Sequence, residues 1–213
     1  GIAGLAMALP ALACPAKIGA TLSMTGSYAT FGPPISNAAA LAVEHMNAAG
    51  WKVGDCTKLE YIVRDDQTQP SVGVDAARRL VDVDAVPAIV GPISSGVTGP
   101  ILSSVTVEKG VLMVPSASSS PTFSDMARDG KLNGLFYRVQ PSDALQAVAI
   151  AKLAWDAGNR NISIIYLNND WGNNLSKQFA ATFKDMGGTV TAQVSYNAEQ
   201  SSYRAEVTKA LES

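Results

Sequence analysis

Serine residues follow the third and fourth predicted strands, at the points where those strands end. Ser94 and Ser95 fall where a helix should begin, and Ser116 and Ser118 sit in the next such turn. A helix start offers free N–H groups and about half a positive charge, so this arrangement could bind a carboxylate without an arginine. Two alternatives stay open: one serine of the first pair is only an N-cap, and the second pair forms a plain serine-rich turn.

The segment Lys17–Gly32, KIGATLSMTGSYATFG, joins a strand pattern to a small-residue loop that opens a helix. Gly26 relaxes the backbone inside the loop, and Pro33 and Pro34 favour a helix start directly after it. Ligands of open α/β sheets bind at the carboxyl ends of the strands. We therefore expect this loop and the serine turns to border one shared cleft.

Two aromatic residues after strands could cover the apolar part of a ligand. Phe31 lies at the end of the first loop, and Trp171 follows a later strand. An aromatic side chain in such a place is also often part of the core, and that alternative stays open.

The chain lacks the residues of common catalytic and cofactor sites. There is no phosphate loop, dinucleotide-binding glycine motif or nucleophile elbow. His45 is the only histidine and is expected on a helix as a surface or groove residue, and two distant cysteines make no zinc site. Asp65 and Asp66 end a strand and could form a metal or acid pair, but acidic residues at a strand end are more commonly caps or hinge-facing polar groups, and we interpret them so. We expect no enzyme, no metal and no cofactor.

Strand and helix patterns alternate along the chain, which favours a parallel sheet covered by helices on both faces. The first four strands are predicted at Ile18–Leu22, Leu59–Val63, Val86–Val90 and Val111–Val114. Apolar residues at helical spacing predict three helices between or after them, with inward positions that include Ile35, Ala39, Ala42, Val43, Met46, Val74, Ala77, Val81, Val97, Ile101 and Val105.

The pattern restarts after Pro141, which indicates a second α/β unit. Residues 118–133 are mostly small or polar and are expected to form a connection outside the core, followed by an extended Leu135–Val139. Within the second unit we predict two strands and three helices, with Asp143 and Gln146 as a capping box, Asp170 as a cap, and strands at Asn161–Leu167 and Val190–Val194. Two strands bury too little surface for an independent unit, so we expect the polypeptide to continue.

The hydrophobic content and the net charge of the chain indicate which classes of partner it could bind. The chain has 213 residues, 47% of them hydrophobic, and a net charge of −2 with no basic cluster. A substantial core is therefore expected, and nucleic acid is not expected as a partner.

Residues 1–13, GIAGLAMALPALA, have the apolar character of a signal-peptide core and end in a small-x-small cleavage pattern. They predict export to the periplasm and are not expected to belong to the fold. A membrane helix is the competing interpretation, but the stretch is too short to span a bilayer and contains Pro10.

Cys14 and Cys56 are the only cysteines, and in an exported protein such a pair predicts a disulfide. Each precedes a predicted strand, so parallel neighbours would place both sulfurs at the edge opposite the ligand end. The alternative is a lipidated Cys14 after Ala13, although a lipobox usually has Leu where Ala11 stands.

Six segments in order resemble the periplasmic branched-chain amino-acid-binding proteins of ABC importers. They are KIGATLSMTGSYATFG, AAALAVEHMNAAG, YIVRDDQTQPSVGVDAARRLV, IVGPISSGVTGPILSSV, VLMVPSASSSP and IIYLNNDWGNNL. The resemblance covers nearly all of residues 16–212. It implies a two-lobed type I periplasmic binding fold with residues 14–140 in lobe one and residues 141–213 starting lobe two.

The resemblance also implies roles for individual residues. Ser95 and Ser118 would hold the ligand's α-carboxylate, and the backbone at Ser116, with Ser118, would receive its α-ammonium. Phe31 and Trp171 would form aromatic walls. The acidic residue that completes the ammonium site in this family would lie beyond residue 213.

Three functions follow for comparison. The leading one is an exported receptor that delivers an amino acid, amide or aromatic acid to a membrane permease. The alternative is the ligand-sensing domain of an amide- or amino-acid-responsive regulator or receptor. An α/β enzyme is the third class, and the missing phosphate loops and bases argue against it.

Overall fold

The structure, a computed structural model, describes residues 14–212 and shows an α/β chain with two parallel sheets flanked by helices. The expected signal segment, residues 1–13, lies outside the described residues. The elements are β1 (Ala16–Leu22), α1 (Gly32–Ala48), β2 (Leu59–Asp65), α2 (Pro70–Arg78), β3 (Ala88–Val90), α3 (Ser95–Ile101), α4 (Val107–Lys109), β4 (Leu112–Val114), α5 (Thr122–Arg128), α6 (Asp143–Asp156), β5 (Asn161–Leu167), α7 (Asp170–Asp185), β6 (Thr189–Tyr196) and α8 (Arg204–Leu211). Helix α2 continues through a π-helical turn at Arg79–Val83, and a second π-helical turn, Leu102–Thr106, joins α3 to α4.

The first sheet has the strand order β2-β1-β3-β4, and every pairing in it is parallel. Ala16 lies opposite Leu59, and Val90 lies opposite both Ala20 and Val114. Because the four strands run in one direction, the loops that follow them all leave from the same edge. The predicted parallel sheet is therefore confirmed.

The main core lies where α2, α3 and the π-helical turn after α3 cover the first sheet. Its buried members are Ala77, Leu80, Val86, Ile89, Val97, Ile101, Leu102, Val105, Val111, Met113, Phe123 and Leu132. The expectation that residues 118–133 lie outside the core was wrong. These residues contain α5, whose Phe123 is buried in the core. A short helix with one fully buried side chain shows no apolar periodicity in the sequence, so the prediction missed it.

The predicted extended segment Leu135–Val139 pairs at one residue only. Phe136 forms a parallel bridge with Met113, whose amide donates to the Leu135 carbonyl at 2.8 Å. Beyond it the chain leaves the sheet, with Tyr137 and Val139 exposed. This prediction was therefore correct only at the bridge.

The second sheet consists of β5 and β6 in parallel, with α6 and α7 packed against each other beside it. The predicted caps were wrong by one residue. Ser142, not Asp143, caps α6 by accepting a hydrogen bond from the Ala144 amide at 3.3 Å, and Asn169, not Asp170, caps α7 by accepting from the Gly172 amide at 2.8 Å. Ser, Asn and Asp all cap well, so adjacent candidates are hard to separate by sequence.

The two sheets fall on either side of the expected boundary near residue 140, with β4 before it and α6 after it. Among residues 14–212, no helix combines the length and the apolar character that crossing a membrane requires.

Cys14 and Cys56 form a disulfide with their Cα atoms 5.1 Å apart. They lie just before β1 and β2, at the edge of the first sheet opposite the loops that leave the strand ends. The Cys56 side chain is fully buried in a small cluster with Ala16 and Leu59. The disulfide therefore ties the amino ends of two neighbouring strands.

Replacing both cysteines by alanine should lower the stability of the folded chain. Closing a loop with a sequence separation of 42 residues contributes about 4 kcal/mol in the chain-entropy model. Chemical denaturation of the Cys14→Ala/Cys56→Ala variant, beside the wild type with and without a reductant, measures this. The reduced wild type should match the variant. Two free thiols in periplasmically purified material, or a lipid adduct on Cys14, would contradict the predicted bond.

Candidate functional site

A cavity of about 200 Å³ lies where loops from the first sheet meet the ends of β5 and β6. The first sheet contributes residues from the loops after β1, β2 and β3, and the second sheet contributes the strand ends. The lining residues are Ser27, Tyr28, Thr68, Pro70, Ser94, Gly96, Leu167, Asn168, Asn169 and Ala198. None of these described lining residues carries a formal charge, and most offer a hydroxyl or amide group.

Asp65 anchors the loop after β1. Its Oδ1 accepts hydrogen bonds from the backbone amides of Met24, Thr25 and Gln67 at 2.9–3.2 Å, and its Oδ2 accepts from the Thr25 hydroxyl at 2.5 Å. Nearby, Gly26 has a φ of +80°, and a Cβ there would collide with the Gln67 carbonyl. The loops after β1 and β2 are therefore held together very closely.

Asp66 is a second anchor, fully buried behind the same loops. Its Oδ1 accepts a hydrogen bond from the Ser23 hydroxyl at 2.7 Å and another from the Thr68 amide at 2.9 Å. Its Oδ2 has no hydrogen-bond partner. The interpretation of Asp65 and Asp66 as structural polar groups, not as a catalytic or metal pair, agrees with these contacts.

The two carboxyl groups titrate in opposite directions. Burial would raise the pKa of Asp65, but hydrogen bonds from the Thr25 side chain and from the Gln67, Thr25 and Met24 amides together lower it. Burial raises the pKa of Asp66, and the bonds from Ser23 and Thr68 oppose this only in part. The charge of Asp65 therefore stabilises the fold, whereas the charge of Asp66 destabilises it.

The start of α3 forms one wall of the cavity. Ser94 occupies the N-cap position in an extended conformation, and its side chain makes no capping hydrogen bond. Ser94 and Gly96 line the cavity. The first N–H groups of a helix have no intrahelical acceptor, so this wall offers donors to a bound anion.

Ser95 and Ser118 lie behind that wall. Both are buried, and the Ser95 hydroxyl oxygen accepts a hydrogen bond from the Ser120 amide at 3.3 Å. The Ser118 hydroxyl lies 2.5 Å from that of Thr98 and 3.2 Å from the Ile93 carbonyl oxygen. These contacts hold the turn after β4 against the start of α3. Direct ligand contact by either serine stays a prediction.

Ser116 is partly buried and belongs to the same connection between turns. Its amide and hydroxyl both donate to the Pro92 carbonyl, at 3.2 and 3.3 Å. The structure therefore groups the four predicted serines around one helix start, although only Ser94 lines the cavity.

The structure does not bring the two predicted aromatic walls to this cavity. Phe31 is 56% exposed and packs edge-on against Tyr28, with 6.1 Å between the ring centroids. Trp171 lines a separate groove of about 430 Å³ that runs along β5 and also includes Phe179 and Tyr196. Their role as ligand walls stays a prediction.

Sequence reasoning missed Tyr28 and Asn169, which face each other from the two sheets. Burial raises the pKa of Tyr28, and a hydrogen bond with the Asn169 side chain opposes this. Close by, the Ser27 hydroxyl donates to Glu199 at 2.8 Å. Asn169 follows the end of β5, so the strand-end rule applied to the first sheet would have found it.

His45 is exposed in the last turn of α1, where the sequence indicated a surface residue. Across residues 14–212, no group of three or more His, Cys, Asp or Glu side chains is arranged to hold a metal ion.

A family model described as "Periplasmic binding protein" matches residues 15–213. A Leu/Ile/Val-binding protein of Rhizobium johnstonii is 33% identical over 189 residues, which is 88% of this chain and 49% of the relative. The chain thus spans about half the length of the curated relatives that it matches.

Several solved structures of binding proteins share the fold of this chain. A leucine-binding protein from Thermotoga maritima superimposes with a TM-score of 0.80 at 25% identity, covering 92% of this chain and 53% of that one. A branched-chain amino acid transporter substrate-binding protein from Streptococcus pneumoniae, in complex with isoleucine, gives 0.76 at 22%, covering 93% and 54%. A solute-binding protein from R. palustris, in complex with 4-hydroxybenzoate, gives 0.75 at 22%, covering 92% and 51%.

Asparagine at positions 65 and 66 should change stability in opposite directions at neutral pH. Asp66→Asn removes a buried charge and should raise the melting temperature at pH 7, because the raised pKa means that the ionised form destabilises the fold. Asp65→Asn should lower it, because a depressed pKa means that the charge stabilises the fold.

Melting curves between neutral and acidic pH test the linkage. The effect of Asp66→Asn should begin to shrink first, as the pH falls through the raised pKa of Asp66, and it should be gone near the unfolded-state value of about 3.9. The effect of Asp65→Asn should persist to the unfolded-state value of about 3.9 and disappear below it. A lower melting temperature for Asp66→Asn at pH 7 would contradict the sign assigned to this group.

Proposed function

This chain belongs to the periplasmic binding protein family, and from that premise we propose that it acts as the extracytoplasmic solute-binding protein of an ABC importer. The family consists of binding proteins and not of enzymes. The solute in this proposal is a small carboxylate-bearing molecule, either an amino acid or an aromatic acid, and the partner is a membrane permease. The observation that carries it is the cavity between the strand ends of the two sheets.

The lining of the cavity supports a carboxylate. Its donors are hydroxyl groups, amide groups and the N–H groups at the start of α3, and no lining side chain brings a charge that would select a phosphate or a cation. Leu167, Pro70 and Ala198 add apolar surface for the body of the solute. Isoleucine and 4-hydroxybenzoate, bound in two of the similar structures, both combine a carboxylate with an apolar body.

We assign the closest carboxylate contacts to Ser94 and Gly96, which line the cavity. Ser95, Ser116 and Ser118 are proposed to complete this part of the site, chiefly by holding the turn after β4 against α3. Phe31 and Trp171 are kept as proposed aromatic walls of the solute site, although neither lines this cavity.

Export to the periplasm is part of the same proposal. It is supported by the apolar character of residues 1–13, by the family and by the disulfide at Cys14, which leaves that thiol unavailable for a lipid. The boundary between the two lobes is proposed at residue 140, between the last pairing of the first sheet and the start of α6.

A thermal-shift screen of the full-length gene product with leucine, isoleucine, benzoate and 4-hydroxybenzoate tests the solute class. A ligand present at 100 times its dissociation constant stabilises a protein by about 2.7 kcal/mol. No shift with any of the four compounds would contradict the proposed class of solute.

Gly96→Ala should weaken binding of the best compound roughly tenfold, equivalent to about 1.4 kcal/mol. The added methyl group would stand 3.5 Å from Asn169 Cβ and 3.6 Å from the Ser94 hydroxyl, which the fold tolerates but a bound carboxylate would meet. Gly99→Ala is the matched control, because its methyl group approaches only Phe123, at 3.8 Å. Titration calorimetry measures both variants. Equal affinities for Gly96→Ala and Gly99→Ala would place the carboxylate elsewhere.

A further inference from the structure

The chain that connects the two sheets is fastened to the turn after β4. The Arg138 guanidinium donates from one nitrogen to the carbonyls of Ser120, at 2.8 Å, and Ser118, at 3.5 Å. Its other terminal nitrogen donates to the Ser124 hydroxyl at 2.7 Å. The Arg138 side chain therefore contacts three residues of the segment 118–124, which does not pair with a strand.

Two more side chains of the connection bind the same turn. Gln140 donates to the Ser118 carbonyl at 3.1 Å. Asp143, only 2% exposed, donates its backbone amide to the Ser119 carbonyl at 3.0 Å and accepts from the Ser119 hydroxyl at 2.8 Å. Every residue from Ser118 to Ser120 is thus held by a residue between Arg138 and Asp143.

These hydrogen bonds give partners to the carbonyl groups of Ser118 and Ser120. Ser118 and Ser120 are fully buried, and a buried carbonyl group without a hydrogen-bond partner destabilises a fold. Arginine suits this position because its planar fork can donate to several acceptors at once, whereas a lysine ammonium is a single flexible point. Burial lowers the pKa of Arg138, and the charge of Asp143 opposes this shift.

The held turn leads directly to the proposed solute site. Ser120 donates its amide to the Ser95 hydroxyl, and the Ser118 hydroxyl contacts Thr98 and the Ile93 carbonyl. An unbroken series of hydrogen bonds therefore runs from the connection, through the turn, to the start of α3. Asp143 is also the first residue of α6, so the series begins on the second α/β unit.

We propose that Arg138, Gln140 and Asp143 are positioning residues that set the start of α3 for solute binding according to where the second unit lies. The inference rests on the proposed function, because it assigns these residues a role in that site. None of them is proposed to touch the solute.

Hydrogen exchange on the full-length gene product without solute tests the physical link. In Arg138→Gln, amide exchange in the peptide spanning residues 115–124 should rise roughly tenfold, while exchange in β1 stays unchanged. Arg138→Lys should fall between the wild type and Arg138→Gln. Arg128→Gln is the matched control, because Arg128 is an exposed arginine that pairs with Asp125 on the surface.

A second pair of variants keeps the test valid if Arg138→Gln does not fold. Asp143→Asn retains the backbone bond and an acceptor for the Ser119 hydroxyl, so its exchange should match that of the wild type. Asp143→Ala loses the acceptor, so its exchange in residues 115–124 should rise. No change in Asp143→Ala and Arg138→Lys would overturn the inference.

Binding kinetics distinguish positioning from mere support of the fold. With isoleucine and benzoate as probes, Arg138→Lys and Asp143→Ala should dissociate roughly tenfold faster, with association rate constants within about threefold of wild type. Faster exchange with unchanged dissociation would overturn the positioning role. A wild-type protein that binds neither these probes nor the other two screened acids would refute the proposed function instead, and the exchange experiment would still decide whether the link exists.

Discussion

The parallel pairing of β1 with β2 and β3 is the constraint on which the rest of the structure depends. It sends the loops after these strands to one edge and leaves the disulfide between Cys14 and Cys56 at the opposite edge. The same rule in the second sheet places Asn169 at a strand end. The carboxyl ends of strands from both sheets border the cavity, so the cavity can form between loops that are far apart in sequence.

Charged side chains support this cavity without lining it. Asp65 gathers three backbone amides and one hydroxyl, and the Arg138 guanidinium reaches two carbonyls and one hydroxyl. A carboxylate can accept more hydrogen bonds, and a guanidinium can donate more, than a neutral side chain of similar size. Charged side chains are therefore suited to holding loops that do not pair with a strand. Because these charged side chains are not part of the lining, the lining stays uncharged, and the proposed solute carboxylate would meet the N–H groups at the start of α3.

Most of the regular elements could be predicted from apolar periodicity. The main strands and long helices carry enough repeats to be recognised, whereas α5 has only one fully buried side chain, Phe123, and was mistaken for a connection. The caps at Ser142 and Asn169 were missed by one residue, because neighbouring capping residues are chemically equivalent until the backbone fixes one of them. The serine turns were predicted, and the structure gathers them at one helix start.

The sequence by itself determined the α/β class, the parallel sheet and the edge where the loops gather, because local periodicity and strand direction encode these features. The disulfide could be predicted because Cys14 and Cys56 are the only cysteines of the chain. Only the tertiary structure decided which side chains face the cavity. Ser94 lines it and Ser95 does not, and Tyr28 meets Asn169 across it. The reason is that loop side chains are oriented by hydrogen bonds between distant segments, such as those of Asp65 with Thr25 and of Arg138 with Ser120, and no local pattern carries that information.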